Sequence, residues 1–268
     1  MIPRVRRPSS RTMITLEVRG STLLTPNFAR VTLGGPALKD LVLVGHDQSV
    51  RLFFPRKGQN ALRMPTLSSE AWMAQMMMTP KSARPWVRNL TIRRSRPADD
   101  ELDIEFALHD DSPMSTWARG VRPGDPAGVF DMGYAYLPPA ETDWQLLVAD
   151  ESAVPAVLAI LDHAPSTLTA EVFLEVPTAA DIRSSEITAR EGVRVHWISR
   201  DDPEVRPGAL ALDAVRRAEL PPGRFYTWAA GEQRLPTTLR RHLAAELNAD
   251  KADIGFAGYW RQGWSSPG

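Results

Sequence analysis

The sequence predicts an antiparallel β-barrel followed by an open parallel α/β domain, on three observations. Short strand-like segments crowd the first half. Strands alternate with helical patterns in the second half. The 268 residues suit two domains, at roughly 100–200 residues each.

In the first half, TMITLEVRG, FARVTLGG, QSVRLFFP, WVRNLTIRR and ELDIEFALHD are rich in β-branched and aromatic residues. Gly, Pro, Asp or Asn bounds each of them. Leu102, Ile104, Phe106 and Leu108 are expected on one face of their strand, Asp103 and Glu105 on the other. Such strands at short spacing predict a small barrel. Between Arg56 and Arg84 the pattern breaks into a long excursion with prolines and a methionine cluster. A short helix is expected around Glu70 to Met78, with Met76 to Met78 plugging a core.

In the second half WQLLVAD reads as a buried strand and VPAVLAILDHA as a helix. TAEVFLEV, VRVHWIS, FYTWAA and IGFAGYW are further strands; ALALDAVRRAEL and LPTTLRRHLAAEL are helices. Leu235, Leu239, Leu243 and Leu247 form one apolar stripe. The alternation implies a parallel sheet with helical crossovers. The join is placed at LPPAETD, residues 137–143, which gives domains 1–138 and 139–268.

Composition narrows the chemistry. Formal net charge is zero, which argues against a nucleic-acid or membrane-surface partner. There is no cysteine, so disulfides, thiolate catalysis and Cys-ligated metal centres are excluded. No two histidines stand at the spacing of a helical metal site, and no metal site is expected. Electron chemistry would then need an organic cofactor. The basic N-terminus lacks an apolar stretch behind it, and no apolar run approaches the ~18 residues that span a bilayer. A cytoplasmic monomer is expected.

Five segments are candidates for chemistry. Arg88-Asn89-Leu90-Thr91 lies on a strand, where Trp86, Arg88 and Leu90 share a face. An arginine there suits a pyrophosphate, although a solvated edge strand is the plainer reading of that segment alone. His109 ends a strand, and Ser112, Met114, Ser115 and Thr116 enter a short helix. A helix start favours phosphate; an ordinary N-cap is the commoner explanation. Asp150-Glu151-Ser152-Ala153 joins the first α/β strand to its helix, where open sheets bind ligands. It lacks the glycine-rich dinucleotide fingerprint. Gly231 and Glu232 end a later strand in the same manner. Last, GYWRQG presents aromatics and Arg261 near the C-terminus.

Together these segments resemble the siderophore-interacting protein family, ferric-siderophore reductases on a ferredoxin-reductase-like plan. DESAVPA is similar to the family's D-E-T-A-x-P-A, WAAGE to W-A-x-G-E, and GYWRQG to G-Y-W-R-x-G. SPMSTWA followed by RPGD is similar to G-P-A-S-x-W-A and P-G-D, and RNLTIR to R-x-Y-T-x-R. The resemblance runs from Val50 to the C-terminus. It implies a six-stranded antiparallel barrel as flavin domain, then an open parallel α/β nucleotide-binding domain. It also implies FAD, with NAD(P)H as co-substrate and a ferric siderophore as acceptor.

By the resemblance Arg88 and Thr91 hold the flavin, with Asn89 and Leu90 on the same strand and Thr91 near the reactive edge. His109, Ser112, Met114, Ser115 and Thr116 serve the phosphate and adenosine side. Asp150, Glu151, Ser152 and Ala153 border the nicotinamide pocket, beside Gly231 and Glu232. Arg56, Lys57 and Arg261 are the candidate cations for an anionic siderophore, and for each a solvated surface charge is the plainer reading. Arg183, Arg194 and Arg200 are candidates for a 2′-phosphate.

Two departures stand out. Leu90 replaces the family's flavin-stacking tyrosine, a loss on the order of 1 kcal/mol; Trp86 is the candidate to make up part of it. SPMS replaces GPAS in the phosphate turn. The alternatives are a general NAD(P)H–flavin oxidoreductase and a non-catalytic siderophore- or flavin-binding protein.

Overall fold

The computed structural model describes residues 5–59, 61–109 and 112–264. Asp110 and Asp111 of the second candidate segment lie outside them. The chain divides into two compact units, Arg6–Tyr134 and a second that begins at Ala135.

The first unit is a closed barrel of β1 (Met13–Thr25), β2 (Phe28–Gly34), β3 (Ser49–Phe54), β4 (Trp86–Arg96), β5 (Glu101–Ala107) and β6 (Pro126–Gly133). The order round the barrel is β1-β2-β5-β4-β3-β6, antiparallel throughout. Closure leaves no free sheet edge. Leu16, Val18, Val31, Leu33, Val50, Leu52, Ile104, Phe106 and Val129 fill the interior. Strand β6 lies in a stretch the sequence pattern leaves unassigned. Its PAGVFDMG carries two glycines and a proline, residues that weaken a strand signal.

The expected alternation of β5 holds in direction, since Leu102, Ile104, Phe106 and Leu108 enter the core. The opposite face is not solvated, however. Asp103 and Glu105 are both buried. Asp103 accepts from Arg96 at 2.7 and 2.8 Å and from Thr32 at 2.7 Å. Glu105 accepts from Arg30 at 2.6 Å and lies 3.7 Å from the fully buried Arg93. Cross-strand arginines thus cover the outer carboxylates, an arrangement that residue alternation alone does not reveal.

The excursion between β3 and β4 packs on the barrel's outside. Helix α1 (Trp72–Met78) sets Trp72 and Met76 against Phe53 and Phe130, with the Phe53 and Trp72 rings edge-on at 5.4 Å. Only Met76 is a plug; Met77 and Met78 are exposed, on the turn of helix that faces away. Helix α2 (Pro113–Gly120) places Trp117 over Phe54 and Phe106.

The second unit is a five-stranded parallel sheet of β7 (Trp144–Ala149), β8 (Ala170–Val176), β9 (Val193–Ser199), β10 (Phe225–Glu232) and β11 (Ile254–Trp260), ordered β11-β10-β7-β8-β9. Helices α3 (Val154–His163), α4 (Ala209–Arg217) and α5 (Arg234–Glu246) make crossovers. Two short 3-10 turns, not a helix, join β8 to β9. Strand order reverses between β7 and β10, the topological switch point at which such sheets bind ligands. Glu175, fully buried at the end of β8, accepts the Gly208 and Ala211 backbone N–H groups and so caps α4.

The leucine stripe of α5 is shorter than its spacing suggests. Leu235, Leu239 and Leu243 are buried, whereas Leu247 is exposed just beyond the helix. Leu239→Ala is therefore expected to lower stability by about 2–5 kcal/mol in urea denaturation. Leu247→Ala should stay within about 0.5 kcal/mol of the parent.

Candidate functional site

The candidate residues form two groups, one in each unit. On the barrel, Trp86, Arg88 and Leu90 of β4 stand opposite Phe54, Leu52 and Val50 of β3. Directly opposed residues share a face, so this row belongs to the core side; Trp86 and Leu90 pack against that core. Asn89 is exposed on the other face, and Thr91 is buried opposite Ser49.

Arg88 donates to the Val87 carbonyl at 2.7 Å, and its guanidinium carbon lies 5.1 Å from the Trp86 ring centroid. Arg56 lies 3.7 Å over the same ring. Neither arginine pairs with a carboxylate among the described residues. Burial, then the charge of Arg56, pushes the Arg88 pKa down; burial, then Arg84, does the same to Arg56. Trp86 thus already carries a cation on its ring, which argues against it as a replacement for the absent flavin-stacking tyrosine. Two neighbouring guanidiniums without a counter-ion fit an anionic group such as the FAD pyrophosphate.

The turn into α2 is built by hydroxyls. Ser112 caps the helix and accepts from the Ser115 N–H at 3.1 Å. The fully buried Ser115 hydroxyl donates to the His109 carbonyl at 3.0 Å and accepts the His109 N–H at 2.9 Å. Ser115 therefore shapes the turn, and its hydroxyl is engaged within it. Thr116 is exposed, Met114 leans on the barrel core and His109 is half-buried. Of these side chains, the Thr116 hydroxyl is the one presented to solvent.

In the α/β unit, the switch point is tied together by Asp150. Its carboxylate accepts from the Ser152 N–H at 2.9 Å, the Ser152 hydroxyl at 2.6 Å and the Glu232 N–H at 2.5 Å. The ends of β7 and β10 are thereby joined. Gly231, at φ +146, is needed here: a Cβ would meet the Asp150 carboxylate at 2.6 Å. Ala153 is buried at the start of α3, and Ser152 is half-exposed. Glu232 accepts from the Arg234 N–H at 2.8 Å, from Arg206 at 3.2 Å and from the Gln262 N–H at 3.2 Å. The last bond fixes the loop that carries the exposed Arg261.

Glu151 forms a two-pronged pair with Arg200 at 2.9 and 3.0 Å, and Arg200 also reaches Glu175 at 2.7 Å. Arg200 is thus committed inside the fold. Arg194 grips Glu171 near the strands' starting ends, opposite to the edge where β7 and β10 finish. Arg183 pairs with Glu186 at 3.2 Å. All three 2′-phosphate candidates are engaged with carboxylates. On the barrel side Lys57 is exposed beside the half-buried Arg56.

The family model described as "Siderophore-interacting FAD-binding domain" matches residues 17–134, and that described as "Siderophore-interacting protein" matches residues 142–263. The ferric vibriobactin reductase ViuB of Vibrio cholerae is 30% identical over 90% of this chain and 86% of its own. The chain belongs to the siderophore-interacting protein family. A crystal structure of a siderophore utilization protein from T. fusca superposes with a TM-score of 0.83, at 30% identity and 98% coverage of both chains. The NADPH-dependent ferric-chelate reductase of Escherichia coli is 27% identical over 88% of each chain. The barrel of this siderophore-interacting protein is thus of an FAD-binding type, and no helix among the described residues is long and apolar enough to cross a membrane.

Sequence reasoning missed two features. Arg56 joins Arg88 at Trp86, a juxtaposition set by strand pairing across a long excursion. Glu175 and Arg200 form a buried brace behind Glu151; only an acid and an arginine at neighbouring strand ends signalled it.

The Asp150 pKa is pushed up to about 7. Burial is the largest cause and the Glu151 charge the second; the bonds from Ser152 and Glu232 oppose them without prevailing. A carboxyl with a raised folded pKa is protonated more readily in the folded state than in the unfolded state. Its contribution therefore weakens stability as pH rises from about 4 to 7. Asp150→Asn is expected to remove that trend: the stability of the variant relative to the parent should increase across this window in urea titrations. A difference independent of pH would contradict the shift.

Proposed function

We propose that this protein is an NAD(P)H-dependent, FAD-containing ferric-siderophore reductase that releases iron as Fe(II). The observation that carries the reading is a pair of guanidiniums without carboxylate partners among the described residues of an FAD-binding barrel, in the same chain as a parallel sheet whose strand order reverses between β7 and β10. The names of the Vibrio cholerae and Escherichia coli relatives support the substrate class.

In this reading bound FAD would supply the exchange between the two-electron hydride of the nicotinamide and the one-electron reduction of ferric iron, two Fe(III) per hydride. The chain supplies placement. Arg88 binds the pyrophosphate, Leu90 borders the ring, and Thr91 stands near its reactive edge. Ser112, Met114 and Ser115 hold the phosphate turn in shape, while Thr116 and His109 face the adenosine side. Asp150 and Gly231 tie the ends of the paired strands β7 and β10 together beneath the nicotinamide position, with Glu151, Ser152, Ala153 and Glu232 along the border. Lys57 on the barrel and Arg261 in the α/β unit are each a candidate cation for an anionic siderophore. Hard oxygen ligands hold Fe(II) less firmly than Fe(III), so reduction frees the metal.

The test is spectroscopic. Purified protein supplied with FAD should absorb in the blue and bleach on addition of NAD(P)H without air. A ferrous chelator should then trap Fe(II) once ferric siderophore is added. Protein that takes up no FAD overturns the reading, and bleaching with equal turnover of any acceptor favours a general flavin oxidoreductase. Arg261→Ala is expected to raise KM for ferric siderophore about 2- to 5-fold while leaving NAD(P)H oxidation by a small artificial acceptor unchanged. Equal losses with both acceptors would remove Arg261 from the substrate side.

A further inference from the structure

We propose that Arg56 is a second guanidinium of the FAD pyrophosphate site, acting beside Arg88, and not a siderophore contact. The proposal rests on the flavin reading above and assigns a further binding residue within it.

Three arginines meet where the excursion leaves and rejoins the barrel. Arg84 directs its guanidinium to the Met77 and Thr79 carbonyls, both at 2.9 Å. Both bonds come from one terminal nitrogen, and its buried Nε finds no partner among the described residues. Arg56 differs. Its Nε donates to the Arg84 carbonyl at 2.7 Å, and its backbone N–H is anchored on the Gln59 side chain at 2.9 Å. Its two terminal amino groups find no partner among the described residues. Arg88 uses one terminal nitrogen on the Val87 carbonyl and leaves the other without a partner.

Both guanidiniums lie on one indole, at 3.7 and 5.1 Å. Each is partly desolvated, and Arg56 helps to lower the pKa of Arg88. Two like charges gathered on one ring, each partly screened from water, repel one another unless an anion offsets them. A pyrophosphate carries one negative charge on each phosphoryl group and accepts forked donors, so its charge and shape match two planar guanidiniums. The Trp86 ring, together with the Arg84 carbonyl, holds Arg56 in place before the ligand arrives. Lys57, exposed on the next residue, has none of these restraints and keeps the role of a surface cation.

The test compares binding of FAD and riboflavin to flavin-free protein by fluorescence titration. Arg56→Ala is expected to weaken FAD about 10- to 100-fold and to leave riboflavin, which has no phosphate, within about two-fold. Arg56→Lys should weaken FAD less than Arg56→Ala, since it keeps charge and loses the fork. Thermal melts of both variants separate lost binding from lost folding; should Arg56→Ala melt early, Arg56→Lys alone decides, through its FAD-against-riboflavin ratio. FAD affinity unchanged in a folded variant, with a raised KM for ferric siderophore, returns Arg56 to the substrate side and overturns the proposal. Failure of the parent protein to bind either flavin would instead defeat the flavin reading on which the proposal stands.

Discussion

The carboxylate of Asp150 is the constraint on which the α/β unit's ligand edge depends. A fully buried acid with three donors aimed at it joins two strands that are far apart in sequence and adjacent in the sheet. It also explains the smallest residue nearby. Gly231 has no side chain because the carboxylate occupies the space a Cβ would need. Behind it, Glu151, Arg200 and Glu175 form a second buried layer that reaches the start of α4. Removing one member of such a chain leaves a charge without its partner in a site of low polarity, which costs more than the intact chain contributes.

The barrel solves a different problem with the same groups. On its outer face, carboxylates of β5 are matched by arginines of β2 and β4, and charge is neutralised across strands. At Trp86 that rule is suspended, and two guanidiniums stay without acids among the described residues. Local departures from the balance a fold otherwise maintains are the expected mark of a ligand site.

Much of this was legible in the sequence, because the relevant signals are local. The strands of the α/β unit begin and end close to the stretches their composition marks, and α3 follows β7 as the small residues and Pro155 suggest. Strand β6 was not legible, since its glycines and proline hide a segment whose strand character depends on closing a barrel. Nor was the burial of Asp103 and Glu105, which depends on arginines from other strands. The candidate residues were singled out by local composition and by the family resemblance. Their division of labour was not legible: Ser115 reads as a donor in sequence and is a turn-builder in space, because its partner is the backbone of His109.

The connection between β3 and β4 leaves and returns at residues that are directly paired, Phe54 with Trp86. Its ends are therefore fixed by the sheet and not by the loop itself. The entropy of closing such a loop rises only slowly with length. Evolution can accordingly lengthen, shorten or rewrite the far part of this segment while the barrel register beneath it stays the same. Whatever the far part becomes, the pairing of Phe54 with Trp86 keeps the two ends, and Arg56 beside them, at one place on the barrel.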